Sequence, residues 1–295
     1  MNFKPIVLQD KSLLDAYFAP KTEHPFSDFN FSNLFIWRFA REISYCLNND
    51  FLLIKTCYPQ DEPYFFYPFS LTPRSEKERK EVLSTLLTHY PKATFKSLTQ
   101  EQAQELDKFF PSRFTLSPNR DRFDYVYSIS ELINLSGRKY HKKKNHLNKF
   151  FQSNPDFSFE LLTPHNALEV EKTYERWYED NPLKDEALES EKRGIFSCLQ
   201  NFSSLDIVGG LIRVKGEIAA FALGEAVDAQ NVVIHIEKAN IAVAGIYQAI
   251  NQQFLLHAFS SYIWVNREED LGIEGLRKAK LSYQPSVLLE KYEAK

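Results

Sequence analysis

The sequence predicts an α/β (α+β) protein of two tandem halves, each a mixed β-sheet flanked by helices. Two observations lead there. The carboxyl-terminal half alternates short apolar strands with amphipathic helices in the order β-α-α-β-β-β-α-β-α-β, and the amino-terminal half reads in a similar order. The length, 295 residues, is comfortable for two domains. The division falls into residues 1–134 and residues 135–295, the second part opening with a basic connecting helix. No obvious sequence repetition relates the halves, so their similar order suggests an old duplication.

In the amino half, Ile6 to Leu8 opens the fold, followed by helices around Leu13 to Phe18 and Asp28 to Phe39. Ile43 to Thr56 forms a hairpin that turns at Asn48-Asn49-Asp50. Tyr64 to Phe69 is a strand, Glu76 to His89 a helix, Ala93 to Ser97 a strand, Glu101 to Phe110 a helix, and Phe114 to Tyr127 is extended. Gly137 to Phe151 is the connecting helix. In the carboxyl half, Phe157 to Leu162 is a strand, and helices follow over Asn166 to Asp180 and Asp185 to Phe202. Leu205 to Val214 and Glu217 to Val227 form a hairpin around Lys215-Gly216. Asn231 to Lys238 is a third strand, with Val233, His235 and Glu237 on one face and Ile234, Ile236 and Lys238 on the other. Gly245 to Phe259 is a helix, with Ile246, Ile250 and Phe254 spaced for burial. The strand Tyr262 to Val265, the helix Glu274 to Tyr283 and the strand Ser286 to Tyr292 complete the order. It is the order of the acyl-CoA N-acyltransferase-like (GNAT-like) fold, here in tandem.

Composition narrows the function. At 43% apolar and 25% charged residues the chain is ordinary for a globular protein, and a net charge of -3 excludes a polycation built to coat nucleic acid. Contact with phosphates has to come from a local patch. The three cysteines, Cys46, Cys57 and Cys198, have no metal-type spacing and read as thiols of a reducing compartment. Counted outward from the turn, Cys46 faces Leu53 rather than Cys57, which argues against a disulfide. Ligand-spaced histidine pairs are absent, so neither a metal nor another cofactor is expected. The segment Met1 to Pro5 lacks the apolar core of a signal peptide, and no apolar run approaches the ~20 residues of a membrane span. A cytoplasmic protein is expected.

Charged residues gather where open α/β sheets collect ligands, beyond the carboxyl ends of strands. His235 and Glu237 share a strand face, Glu225 ends the neighbouring strand, and Asn266-Arg267-Glu268-Glu269-Asp270 follows the last core strand. Such a group can deprotonate an attacking hydroxyl or amine, or clamp an ammonium group. Alternatively it is an internal ion-pair network with Lys238, Arg267 or Arg277. Arg277 and Lys280 offer positive charge to an oxyanion or a phosphate, or are structural partners of the carboxylates. The connecting helix carries Arg138, Lys139, Lys142, Lys143, Lys144 and Lys149 without an acidic residue. That face either binds phosphates or is a solvated surface. At the helix beginning at Gly245, acetyltransferases of this fold hold the coenzyme A pyrophosphate through a Gln/Arg-x-x-Gly-x-Gly/Ala turn. Here Asn240, Val243 and Gly245 take those places, and the β-branched Val243 disfavours coenzyme A.

The chain resembles a bacterial family grouped with the carboxyl-terminal domain of phosphatidylglycerol lysyltransferase. The resemblance spans nearly the whole chain and is carried by Asp124 to Tyr127, Leu135 to Lys139, Lys142 to Phe150, His235 to Ala239, Gly245 to Tyr247, Asn266 to Gly272 and Gly275 to Tyr283. It implies kinship with enzymes that move an aminoacyl group from tRNA, here onto an unknown lipid or small-molecule acceptor. On that reading Glu237 and His235 orient or deprotonate the nucleophile or hold the donor's ammonium, and Lys280 or Arg277 stabilises the oxyanion. Glu225, Asn266, Arg267, Glu269, Asp270 and Tyr247 contact substrate, while Arg138, Lys142, Lys143 and Lys144 hold the tRNA phosphates. The alternatives are an acyl-CoA-dependent N-acetyltransferase and a non-catalytic binding module for a phosphorylated or amino-bearing metabolite.

Overall fold

The architecture comes from a computed structural model, in which residues 1–19 and 22–295 are described. The first sheet holds β1 (Lys4–Pro5), β2 (Glu42–Asn48), β3 (Phe51–Cys57), β4 (Tyr64–Phe65), β5 (Phe69–Ser70), β6 (Thr94–Leu98) and β7 (Leu116–Pro118). Its helices are α1 (Lys11–Phe18), α2 (Phe31–Trp37), α3 (Glu76–His89) and α4 (Gln100–Phe109). The second sheet begins with β8 (Asp124–Ser128), followed by α5 (Ile129–Asn134) and the basic helix α6 (His141–Ser153). Then come β9 (Ser158–Leu161), α7 (Pro164–Glu179), α8 (Glu186–Gln200), β10 (Val208–Val214), β11 (Glu217–Ala226) and β12 (Asn231–Ala239). The chain ends with α9 (Ile246–Ala258), β13 (Trp264–Asn266), α10 (Glu274–Leu281), β14 (Val287–Leu289) and β15 (Tyr292–Ala294).

Alternating burial along the strands stacks these elements in layers. Leu53, Phe65 and Phe95 look outward from the first sheet onto α3 and α4. Leu52, Ile54 and Tyr45 look the other way, into a core shared with α1, α2, α7, α8 and the Leu211, Phe221, Leu223 and Ile236 face of the second sheet. The opposite face of that sheet, with Ala220, Ala222, Val232 and Ile234, packs on α9, α5 and α6. Two helix pairs are thus sandwiched between the sheets, and the halves share one central core.

Several boundaries differ from the sequence expectation, for local reasons. The first strand is Lys4–Pro5, and the chain from Leu8 is already turning as a 3-10 helix. The helix expected from Asp28 starts at Phe31 because the Asn30 side chain accepts the Asn33 N–H as its cap. The strand expected over Tyr64 to Phe69 breaks into β4 and β5 around Pro68, which has no N–H for a ladder. A short helix, α5, follows β8; it is capped by Ser128 and ended by Leu135 at φ +45°. The strand expected over Ser286 to Tyr292 divides: β14 pairs β8 in the second sheet, whereas β15 lies between β6 and β7 in the first. The hairpin is as read, with Cys46 opposite Leu53.

Candidate functional site

β12 and β13 run parallel but pair only where Asn231, Val232 and Val233 face Trp264, Val265 and Asn266. Beyond that point β12 continues to Ala239, while the other chain stays with β8, through Arg267 N–H to Tyr125 O and Tyr125 N–H to Glu268 O. The strands therefore part at their carboxyl ends, and polar residues fill the split on both faces of the sheet.

Which residue takes which face is decided by a bulge. Leu223 pairs with Ile236, but Gly224 pairs with Ile234, so His235 is an extra residue in β12 and the alternation slips by one. His235 and Glu237 consequently point to opposite faces, which corrects the expectation that they share one. Glu237 stands opposite Ala222 on the α9 side. One of its oxygens accepts from Arg267 Nη2 and the other from Asn251 Nδ2 at 3.1 Å. The Arg267 guanidinium lies 5.1 Å from the Tyr283 ring centre and 5.8 Å from that of Tyr127. Lys143 Nζ is 4.1 Å from the same Tyr283 ring. Burial and the neighbouring Arg267 bring the Lys143 ammonium down to about 8. Tyr247, 41% exposed, has its phenol pushed up by burial and by the nearby Glu237 and Glu191 carboxylates. Lys238 is held by Glu191 at 2.6 Å.

On the face toward α2, His235 Nδ1 meets Glu268 at 2.8 Å and Nε2 meets Glu225 at 3.0 Å. Burial opposes charging the ring, but the bonds to Glu225 and Glu268 outweigh it and raise His235 to about 9. Ser32 Oγ donates to Glu225 and Asn33 Nδ2 to Glu268, so α2 of the first half closes this network.

The 267–270 segment is braced from beneath. Lys280 Nζ donates to the carbonyls of Arg267 at 2.6 Å, Glu268 at 3.1 Å and Glu269. Arg277 reaches both oxygens of Asp270, at 2.8 and 2.9 Å, and Asp121 at 2.6 Å. Asp270 is held down at about 2, its burial outweighed by Arg277, Tyr125 and the Gly272 N–H. Asn266 donates to Asp124, and Glu269 pairs with Arg122 at 3.0 Å.

The basic helix divides. Its α-helix begins at His141, and Arg138 lies in the 3-10 turn before it; Arg138, Lys142 and Lys144 are exposed, whereas Lys143 is half-buried and feels the like charge of Arg267. Gly245, at φ +79°, opens α9 against α6, and a Cβ there would stand 2.4 Å from the His146 carbonyl oxygen. Sequence reasoning missed Asn251, Lys143 as an inward group, and the buried set Lys291, Asp28 and Asp124, with Lys291 Nζ at 2.6 and 2.7 Å from the two carboxylates. A lysine amid Leu288, Leu289 and Tyr292 was the one available signal for that set.

Comparison with known proteins bears on this arrangement. The family described as phosphatidylglycerol lysyltransferase, C-terminal, matches residues 21–295. A conserved protein of unknown function from Bacteroides thetaiotaomicron is 34% identical, with a TM-score of 0.89 over 100% of this chain and 99% of that one. The L-PGS of Bacillus licheniformis shares the fold at a TM-score of 0.58 and 14% identity, over 88% of this chain and 85% of that one. An uncharacterized protein of Mycoplasmoides gallisepticum is 26% identical over 176 residues, 58% of this chain and 56% of its own length. Among the described residues, no helix is long and apolar enough to cross a membrane.

Proposed function

Because the chain belongs to the family of the phosphatidylglycerol lysyltransferase C-terminal domain, we propose that it transfers an aminoacyl group from an aminoacyl-tRNA, or a similarly activated amino acid, to a lipid or small-molecule acceptor. The observation that carries this reading is Glu237, set in the split between β12 and β13 with its oxygens oriented by Arg267 and Asn251. An acceptor hydroxyl or amine attacks the ester carbonyl. The new acyl bond forms, the bond to the ribose oxygen breaks, and the nucleophile's proton ends on that oxygen. Glu237 holds the α-ammonium of the donor or guides the attacking group through its free lone pairs. Tyr247 and Glu191 line the entrance. Arg277 and Lys280, committed to Asp270 and to three carbonyls, keep the 267–270 segment in place. His235, bound by two carboxylates, does the same for the other face.

Coenzyme A chemistry is the weaker reading. A carbonyl oxygen, that of His146, lies against the amino-terminal turn of α9, where a pyrophosphate would need free N–H groups.

The test is a label chase with tRNAs charged with radioactive amino acids and a fractionated extract of lipids and metabolites. Label should leave the tRNA for one acceptor fraction only when protein is present. Glu237→Gln should lower that transfer by roughly 100-fold or more while the far-ultraviolet dichroism stays native. Full activity in that variant removes Glu237 from the mechanism, and label that stays on tRNA with the unaltered protein removes the transfer reading.

A further inference from the structure

We infer that Lys143 and Arg267 together bind a phosphate-type oxyanion at the split between β12 and β13. This deepens the site described above and stands whether or not the reaction there is aminoacyl transfer.

The two cations share one aromatic ring: Lys143 Nζ lies 4.1 Å and Arg267 Cζ 5.1 Å from the centre of Tyr283. A single carboxylate, Glu237, is paired with Arg267, and it takes only its Nη2. Nε and Nη1 of Arg267 are buried without an acceptor. Among the described residues Lys143 has no ion-pair partner, and the influences on its ammonium are burial and the like charge of Arg267. Two neighbouring cations with unanswered N–H groups form a site of net positive charge, which one oxyanion completes by separating the charges and accepting from both.

The surroundings favour phosphate over a lone carboxylate. Lys143 belongs to α6, whose exposed positions include Lys142, Lys144 and Lys149; exposed Arg138 lies in the turn just before it, and no acidic residue occurs from Gly137 to Phe151. These cations surround Lys143 with positive potential, the pattern expected for a substrate carrying a phosphodiester. Lys143 is half-buried and reaches solvent, so an anion enters beside its ammonium. This pair differs from Arg277, whose charge is answered by Asp270, and from Lys280, whose ammonium is taken by backbone carbonyls.

The probe is inorganic phosphate, and the readout is the rate at which an amine-selective acylating reagent modifies each lysine, followed by peptide mass spectrometry at constant ionic strength. Phosphate should protect Lys143, reaching roughly tenfold at ten times its dissociation constant, with Lys142 and Lys144 hardly slowed. Chloride should give no protection. Phosphate affinity measured by calorimetry should fall roughly tenfold or more in Lys143→Gln, a half-exposed position that folds without its charge. Adenosine 5′-monophosphate and glycerol 3-phosphate, compared as competitors, separate a nucleotide source from a lipid-headgroup source. Equal protection by acetate, equal protection of all three lysines, or unchanged phosphate affinity in Lys143→Gln overturns the proposal. Protection of Lys143 without any label transfer keeps the anion site and removes the transfer reading. Label transfer without protection does the reverse.

Discussion

Both ring nitrogens of His235 face carboxylates, Glu268 at 2.8 Å and Glu225 at 3.0 Å, so with both carboxylates ionised both nitrogens donate. The ring is therefore a cation at neutral pH and ties β12 to β11 and to the 267–270 segment. Its folded value, about 9, lies above the ordinary 6.5. A group raised on folding contributes all of its stabilisation below the unfolded value and loses it as the pH rises through the folded one. The thermal midpoint should therefore decline between about pH 6.5 and pH 9, and His235→Gln should flatten that decline. A wild-type midpoint unchanged across this window would show that the ring is neutral. Glu237 is placed differently: it is paired to one arginine and open to a ligand, which is why its substitution by Gln should cost transfer far more than folding.

Two contacts decide how α6 works. Its exposed side carries Lys142 and Lys144, clear of acidic partners among the described residues, so charge reversal there tests phosphate binding without disturbing the core. Lys142→Glu with Lys144→Glu should weaken tRNA binding and lower the slope of log affinity against log salt by about two. An unchanged slope would make this face a solvated surface only. The buried side meets α9 at Gly245. Gly245→Ala combines a positive φ of +79° with a Cβ placed 2.4 Å from the His146 carbonyl. Its chemical denaturation should show a loss of about 1–3 kcal/mol. A neutral outcome would mean that α6 can move away from α9.

At the scale of the molecule, the chain exchanges strands. β8 leaves the first half to pair in the second sheet, and β15 returns from the second half to sit between β6 and β7. Lys291, immediately before β15, is buried between Asp28 of the first half and Asp124 of β8, and Ser27 and Asn266 complete the set. Burial acts against its charge, but Asp124 and Asp28 dominate and hold the ammonium protonated well above the usual lysine range. Lys291→Met fills the space and leaves two buried carboxylates facing each other. We expect a loss of about 3–5 kcal/mol in urea unfolding, with a single transition, because the sheets share one core. Two separate transitions would show instead that the halves unfold independently.

The sequence by itself determined most of the order of the elements, the layered class and the stretch in which the site falls. Periodicity, caps and turns are local properties, so Glu76 to His89 and the hairpin around Asn49 could be read from the residues within them. It also marked the charged run after Val265, since five polar residues at a strand end are hard to bury without purpose. Only the tertiary structure decided which of those charges remain available. The one-residue bulge at His235 turned it away from Glu237, and strand exchange brought Lys291 to Asp124. Three backbone carbonyls took Lys280, and Asp270 took Arg277, leaving Arg267 and Lys143 beside the same Tyr283 ring. Pairing between residues far apart in sequence depends on sheet register and on which strand crosses where. Neither leaves a mark on the local pattern.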